Sequence, residues 1–234
     1  MAAADHAVLL PERDLYERLQ LEIKPRARRV SLRVDVARGC IVLVRPTRCP
    51  EALIARFLAD KRTWIQKQLV NMPERATLAH GTAVSILGEE HAIRGHDIAK
   101  RGVWREGATI FVSGAPEHLP RRLKDWLKVE SRTVFTTWAR DYAAQLNVRI
   151  ARVAVRDTKS RWGSCTRDGR LSLSWRLIFA PREVAAYVVA HEVAHLKHMN
   201  HSPAFWRVVE SLVGNMKAPR AWLRAHGGSL HRYL

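Results

Sequence analysis

The sequence predicts an α+β protein in which a small β-rich unit precedes a domain built around one histidine-bearing helix. Three observations predict this arrangement. Apolar and polar residues alternate over several short segments of the first half, as in half-buried strands. Apolar residues recur at helical spacing over long segments of the second half. Two histidines four residues apart, His191 and His195, lie at the end of an apolar helical segment.

Composition sets the broad class of the chain. With 234 residues and 47% hydrophobic residues, the chain can form one large domain or two small ones with a real core. An excess of 40 Lys and Arg over 22 Asp and Glu gives a net charge of +18. This excess favours contact with nucleic acid or another polyanion, and the alternative is a solvated basic surface. The three cysteines, at positions 40, 49 and 165, are too widely spaced to predict a disulfide framework, so we expect a reducing compartment.

The start of the chain carries no pattern of an export signal. Residues 1–10 contain Asp5 and His6 and lack a basic start followed by a long apolar core. The apolar segment 184–190 beside the histidines is far too short to cross a membrane. We therefore expect a cytoplasmic protein with no membrane contact, in which residues 1–16 form a loose tail.

Residues 17–115 are expected to form the β-rich unit with one helix. Helical spacing predicts that helix over residues 50–70. The predicted strands are segments 19–23, 30–34, 41–44, 83–87, 91–93 and 109–112, and glycines separate the later ones. Ala115-Pro116 is the expected joint to the second domain.

Residues 116–234 are expected to form the domain around the histidine-bearing helix. Pro120 begins a long helical pattern that runs to about residue 146. The predicted elements after it are a strand at 148–155, a polar turn at 159–169, a strand at 171–175, the helix beginning at Pro181, a helix at 203–213 and a short last helix from Pro219. We expect these two strands to pair as a hairpin.

The segment His191-Glu192-Val193-Ala194-His195 is an H-E-x-x-H motif. Residues four apart face the same side of a helix, so the imidazoles of His191 and His195 can share one zinc ion. Glu192 lies next to the first ligand, where it can take a proton from a water molecule activated by the metal. The motif predicts a zinc-dependent hydrolase.

A catalytic zinc ion usually takes three protein ligands, and His198 and His201 are the nearby candidates for the third. On a continuous helix His198 would lie about 10 Å along the axis from His191, too far to share an ion. Ser202-Pro203 predicts that a new helix starts there, because Ser is a good N-cap and Pro suits the first helical position. The chain must therefore turn before Ser202, for which Asn200 in a left-handed conformation is a candidate. We predict His201 as the third ligand, with one zinc per chain.

The spacing of His191, His195 and His201 equals that of the long metzincin pattern. The glycine of that pattern is replaced by His198, so we do not assign the chain to the metzincins. In the zincin arrangement a sheet edge lies beside the motif helix and binds the substrate. The expected hairpin within residues 148–175 is the candidate for that edge.

The second half resembles the YgjP-like metallopeptidases, which are related to the SprT-like zinc proteases. The residues that carry this resemblance are Lys159-Ser160-Arg161-Trp162-Gly163-Ser164-Cys165, Leu173-Ser174-Trp175-Arg176-Leu177-Ile178, Ala180-Pro181, Tyr187-Val188-Val189, the motif with His195-Leu196, Asn200-His201-Ser202 and Phe205-Trp206. In the first half, Val30-Ser31-Leu32-Arg33, Trp64-Ile65 and Leu87-Gly88 also look like the family, so the resemblance covers nearly the whole chain.

The resemblance implies a zincin-like metallopeptidase domain and a cytoplasmic zinc hydrolase. It implies His191, His195 and His201 as zinc ligands and Glu192 as the base, and it leaves the substrate open. Val193-Ala194 departs from the family pattern, in which a leucine often follows the glutamate. Both residues are small and apolar, so this departure does not affect the chemistry.

Five further residues near the motif have two interpretations each, and a sixth has one. Lys159 and Arg161 either bind a substrate anion or developing oxyanion, or are solvated cations. Trp162 and Trp175 are interpreted as core residues, with a substrate groove as the alternative. The last two are Cys165, either a buried apolar residue or a reversible fourth ligand, and Glu210, a candidate to orient a ligand imidazole.

Three functions stay open at this stage. The first is a zinc peptidase with Glu192 as general base, acting on proteins or peptides. The second is a metal-dependent nucleotide phosphohydrolase, a pyrophosphatase, in which Lys159, Arg161 and Arg176 bind phosphate. The third is a binding module with a structural zinc ion, against which the open fourth position and Glu192 argue.

Overall fold

The structure is a computed structural model that describes residues 17–36, 38–72, 76–96, 102–158 and 161–233. The chain forms two compact units, residues 1–75 and 76–234. The joint expected at Ala115-Pro116 therefore falls inside the second unit, because the sheet before it and the helix after it share one core. The expected tail, residues 1–16, lies outside the described residues.

The first unit is a three-stranded sheet with one helix. Its strands are β1 (Leu19–Ile23), β2 (Ser31–Asp35) and β3 (Cys40–Arg45), and its helix is α1 (Glu51–Val70). The strand order is β1-β3-β2, with β1 parallel and β2 antiparallel to the central β3. Ile41 of β3 packs against Ile65 and Leu69 of α1, so the predicted alternation and helical spacing bury one small core.

The second unit begins with a four-stranded sheet in the order β4-β5-β7-β6. Its strands are β4 (Ala83–Ile86), β5 (Glu89–His96), β6 (Val103–Glu106) and β7 (Thr109–Ser113). Strand β6 was not predicted from the sequence. The two-residue turn between β4 and β5 has positive φ at Leu87 and Gly88, as a type I′ hairpin turn requires.

Helix α2 (Leu119–Leu146) follows this sheet and has the predicted extent. Leu123, Leu127, Phe135 and Ala139 are fully buried along one stripe of the helix and join the apolar face of the sheet. Asn147, with φ of 52°, ends the helix in a left-handed conformation. The long helix and the sheet therefore form one continuous core.

A second sheet, in the order β8-β10-β9, lies between α2 and the motif helix in the sequence. It comprises β8 (Arg152–Arg156), β9 (Gly163–Cys165) and β10 (Arg170–Ser174). The expected hairpin of the two predicted strands is wrong, because β8 runs parallel to β10. The antiparallel partner of β10 is β9, which lies inside the expected polar turn and forms an edge of the sheet.

Three helices complete the unit. The motif helix α3 (Arg182–Ala194) follows the 3-10 segment Trp175–Phe179, and α4 (Pro203–Val213) and α5 (Lys217–His226) come after it. α3 packs against α2, α4 and β9, so it lies at the centre of the unit. Among the described residues, no helix is long and apolar enough to span a membrane.

Candidate metal centre

The motif helix α3 is buried on most of its surface. Val184, Val188, Val189 and Val193 are buried, because α3 has neighbours on several sides. The hairpin turn between β4 and β5 contacts the start of this helix. There, the amide of Leu87 donates a hydrogen bond to the carbonyl of Ile178 (2.7 Å), and an added Cβ at Gly88 would lie 3.7 Å from Cα of Pro181. These contacts fix the helix that carries His191 and His195.

The chain turns directly after His195. Helix α3 ends at Ala194, and tight backbone hydrogen bonds from Leu196 to Val193 and from Lys197 to Ala194 close the last turn. The suggested left-handed conformation of Asn200 is wrong, because Asn200 has no positive φ. The short i to i+3 hydrogen bonds end the helix without it.

Helix α4 begins as predicted. The hydroxyl of Ser202 accepts a hydrogen bond from the amide of Phe205 (3.4 Å), and Pro203 occupies the first turn. The predicted N-cap is therefore confirmed. The cap holds the residue before it, His201, beside the end of α3.

The rings of His191, His195 and His201 converge. Their centroids lie 4.8 to 5.1 Å apart, and one ring nitrogen from each residue lies within 4.8 Å of the other two. Nε2 of His201 is 3.1 Å from Nε2 of His191. Two ligand nitrogens on a tetrahedral zinc ion lie about 3.3 Å apart, so this pair has the spacing of a shared cation.

His198 supports the group through its backbone. Its carbonyl oxygen lies 3.1 Å from Nδ1 of His195, so Nδ1 donates to it when protonated and leaves Nε2 of His195 free for a metal ion. The imidazole of His198 is not part of the three-residue group. The donor set of three imidazoles therefore fits a metal ion such as zinc, with room for a fourth ligand from outside the chain.

The aromatic ring of Phe205 packs against these imidazoles. Phe205 is fully buried, and its ring centroid lies 4.6 to 4.9 Å from those of His191, His195 and His201. Burial lowers the pKa of His191 to about 4, and the neighbouring charges of His195, His201 and Arg220 lower it further in the same direction. Burial also lowers the pKa of His195. His191 is therefore neutral at pH 7, which is the form that binds a metal ion.

Glu192 lies against the edge strand β9. Only 6% of Glu192 is exposed, and an added Cβ at Gly163 would lie 2.5 Å from its Cγ and Oε1. Burial raises the pKa of Glu192 to about 7, and the charge of Arg161 opposes this rise. Gly163 is thus the residue that leaves space for this carboxyl group. No local pattern in the sequence predicts this role of Gly163, which appears there only among the residues that resemble the family.

The other candidates near the motif separate into different environments. Arg161 is exposed on the approach to β9 and close enough to act on Glu192. Burial, and to a smaller extent the negative charges of Glu192 and Asp168, raise the pKa of Cys165 to about 11. Its thiol is therefore protonated at neutral pH and is not part of the three-residue group. Lys159 lies outside the described residues.

Arg176 is a structural residue. It is 4% exposed, and its Nε donates to Oδ1 of Asp157 (2.9 Å) while Nη1 donates to the carbonyl of Tyr233. These buried contacts occupy the guanidinium. Arg176 is therefore not available to bind phosphate, as the phosphohydrolase hypothesis requires.

Three further predictions can be placed. Trp175 is fully buried, as expected for a core residue, and Trp162 is partly buried with its ring 5.2 Å from that of His231. Glu210 is exposed on α4. Within the described part of the chain, Nδ1 of His191 has no hydrogen-bond partner, so Glu210 does not orient it.

This geometry is that of a metallohydrolase centre, and comparison with known proteins agrees. The family model described as "YgjP-like, metallopeptidase domain" matches residues 28–226. The chain belongs to this YgjP-like metallopeptidase family and is a metal-dependent peptidase, a hydrolase. The resemblance seen in the sequence is confirmed.

Two solved structures are also similar to this chain. The metallopeptidase zymogen abylysin of Pyrococcus abyssi is 24% identical, with a TM-score of 0.35, over 40% of this chain and 92% of its own. The zymogen jannalysin of Methanocaldococcus jannaschii is 17% identical, with a TM-score of 0.33, over 39% of this chain and 90% of its own. A comparison with the curated proteins finds no match.

Proposed function

We infer that the protein is a zinc peptidase in which His191, His195 and His201 hold one zinc ion and Glu192 is the general base. One observation carries this proposal. Three imidazoles converge at the end of α3, the helix that carries Glu192, and Glu192 itself packs against Gly163 of the edge strand β9. Ligands, base and a binding edge for an extended chain are therefore adjacent.

The chain's own residues supply two parts of the reaction. When bound, the zinc ion would supply a Lewis acid that polarises the scissile carbonyl group and acidifies a water molecule. Glu192 takes a proton from that water at its carboxylate and then gives it to the leaving amide nitrogen. Its position one residue after His191 turns its side chain about 100° from that ligand, so it faces the water and does not bind the metal ion.

The edge strand β9 is the proposed position of the substrate backbone. It pairs with β10 on one side only, so its other side can pair with an extended peptide. Arg161 precedes β9 and is exposed near Glu192, where a cation would stabilise a developing oxyanion or a substrate carboxylate. The open edge of β9 favours a peptide over a nucleotide.

The test compares the two substrate classes on one preparation. The zinc-loaded protein is given a peptide library and, in parallel, a panel of nucleoside triphosphates. We expect cleaved peptides, no release of phosphate or pyrophosphate, and loss of cleavage when a chelator removes the metal ion. Phosphate release without peptide cleavage would contradict the proposal and favour the hypothesis of a nucleotide phosphohydrolase.

A further inference from the structure

A basic groove of about 570 Å³ lies between helix α2 and strand β8 in the second unit. Its α2 wall includes Arg132, Thr136 and Arg140, and its β8 wall includes Arg152. The three arginines are exposed. None of them takes part in the reaction proposed above.

The arginines of α2 form a regular row. Arg132, Thr136 and Arg140 are spaced four residues apart, so they share one face of the helix. Arg132 and Arg140 are two turns apart, which places their Cα atoms about 12 Å apart along the axis. Arg152 adds a third guanidinium from the opposite wall. One small anion cannot contact the whole row, whereas a chain of anionic groups can.

The neighbouring carboxylates do not neutralise this row. Among the described residues, none of the three arginines pairs with a carboxylate. Glu130 and Asp141 point more than about 100° away from Thr136 around α2. Asp125 and Asp168 are paired with Arg121 (3.7 Å) and Arg170 (2.7 Å). The groove therefore keeps an uncompensated positive charge.

The floor of the groove indicates how a ligand is recognised. It is formed by small and aliphatic residues, namely Ala143, Ala144, Val148, Ile150, Ala151 and Val153. Among the residues that the structure describes, no aromatic ring on which a base can stack and no carboxylate that can read a base edge lines the groove. Arginine forks match the paired oxygens of a phosphate group. The groove thus suits contacts to phosphates and not to bases.

We propose that this groove binds the phosphate backbone of nucleic acid without sequence preference. The net charge of +18 supports the same partner, because it attracts a long polyanion from a distance. β8 and β9 are the opposite edges of one sheet, so the groove and the proposed peptide edge are separated by β10. Nucleic acid in the groove therefore leaves β9 free, and the proposal does not depend on the peptidase assignment.

The test measures binding of a fluorescent single-stranded oligonucleotide by anisotropy over a range of salt concentrations. The variant carries Arg132→Ala, Arg140→Ala and Arg152→Ala together. The control carries Arg56→Ala, Arg105→Ala and Arg224→Ala, which removes the same charge outside the groove. Thermal melting of both variants checks folding, and an Arg→Lys triple variant of the groove restores the charge.

Three phosphate contacts contribute about two units to the slope of log K against log salt for a single strand. We expect the groove variant to lose those two units of slope and about a hundredfold in affinity near 0.1 M salt. The control is expected to lose less than about threefold, and the lysine variant to keep the slope. Equal losses in both alanine variants would overturn the proposal and leave only net charge. Unchanged oligonucleotide binding with lost binding of polyglutamate would overturn it in favour of an acidic protein.

Discussion

The pKa values of two carboxyl groups of the second unit, Asp157 and Glu192, are shifted in opposite directions. Asp157 accepts hydrogen bonds from the buried guanidinium of Arg176. Burial acts to raise the pKa of Asp157, but the hydrogen bonds and charge of Arg176 outweigh burial and hold the pKa below its usual range. Burial raises the pKa of Glu192 to about 7, and Arg161, the one cation that opposes this rise among the described residues, is more exposed than Arg176.

The comparison teaches that the partner decides what a carboxylate does. Asp157 has its cation within hydrogen-bond distance, so it stays ionised and anchors the end of the chain through Arg176 and Tyr233. Glu192 lies between His191 and His195 in the sequence and packs against Gly163 of β9. It is free to exchange a proton with a bound molecule. The first region is structural, and the second is available for chemistry.

The largest effect is expected from the metal ligands, which define the Glu192 region as a site. His191→Ala or His201→Ala should strip the metal ion and abolish hydrolysis, because two imidazoles cannot replace three. The loss of metal affinity should exceed the 10- to 100-fold that loss of a supporting hydrogen bond typically causes. Metal analysis after dialysis measures it.

His198→Ala is the matched control for the ligand variants. It should keep the metal ion, because His198 contacts His195 through its backbone carbonyl. Loss of the metal ion in this variant, together with its retention in His201→Ala, would show that the wrong histidine was assigned.

The second prediction concerns the structural carboxylate. Asp157→Asn should lower the free energy of unfolding by about 2 kcal/mol, because it leaves the buried guanidinium of Arg176 without its anion, while the 43% exposure of Asp157 lets solvent weaken the pair. Asp168→Asn, which breaks the exposed pair with Arg170, should cost much less, because solvent screens both charges. Denaturant unfolding of both variants measures the difference. Equal costs would mean that burial of Arg176 does not set the strength of the pair.

The third prediction concerns the fit of Glu192 against β9. Gly163→Ala should lower kcat about 10- to 100-fold with the metal ion retained, because the new Cβ would overlap the carboxyl group and displace it. Gly95→Ala is the control, since the nearest atom there is 3.5 Å away. Melting of the metal-free proteins gives a second measurement. Gly163→Ala should lower the melting temperature when Glu192 is present. The same substitution should have little effect in a variant that already carries Glu192→Ala.

The smallest effect is the pH dependence of the Asp157 pair. The pKa of Asp157 is lowered in the folded state, so its contribution is complete above the unfolded value of about 3.9. It is lost as the pH falls through the folded value. The stability difference between the wild-type protein and Asp157→Asn should therefore be constant from pH 7 to 5 and shrink below pH 4. A difference that persists at pH 2 would exclude this linkage.

Local signals made much of the site predictable. The helical stripe of α3, the Ser202 cap of α4 and the spacing of His191, His195 and His201 each depend on residues close in sequence. The same is true of α2, whose apolar stripe is long and regular. These local signals therefore predicted that the side chains of His191, His195 and His201 meet.

Non-local pairing set the limit of prediction. β9 is three residues long and polar, so only its pairing with β10 makes it a strand. The contact of Gly163 with Glu192 depends on that pairing. The burial of Arg176 likewise depends on Asp157 and on Tyr233, 57 residues away. An arginine in a short segment carries no local sign that it will be buried.

The most direct test of the central claim is the Glu192→Gln variant, with Glu183→Gln on the exposed first turn of the same helix as its control. Metal content, thermal melting and peptide turnover are measured on the same preparations. We predict that Glu192→Gln keeps one zinc ion per chain and its melting temperature and loses about 10²- to 10⁴-fold in turnover, while the control loses nothing. Full turnover by Glu192→Gln with the zinc ion in place would contradict the account.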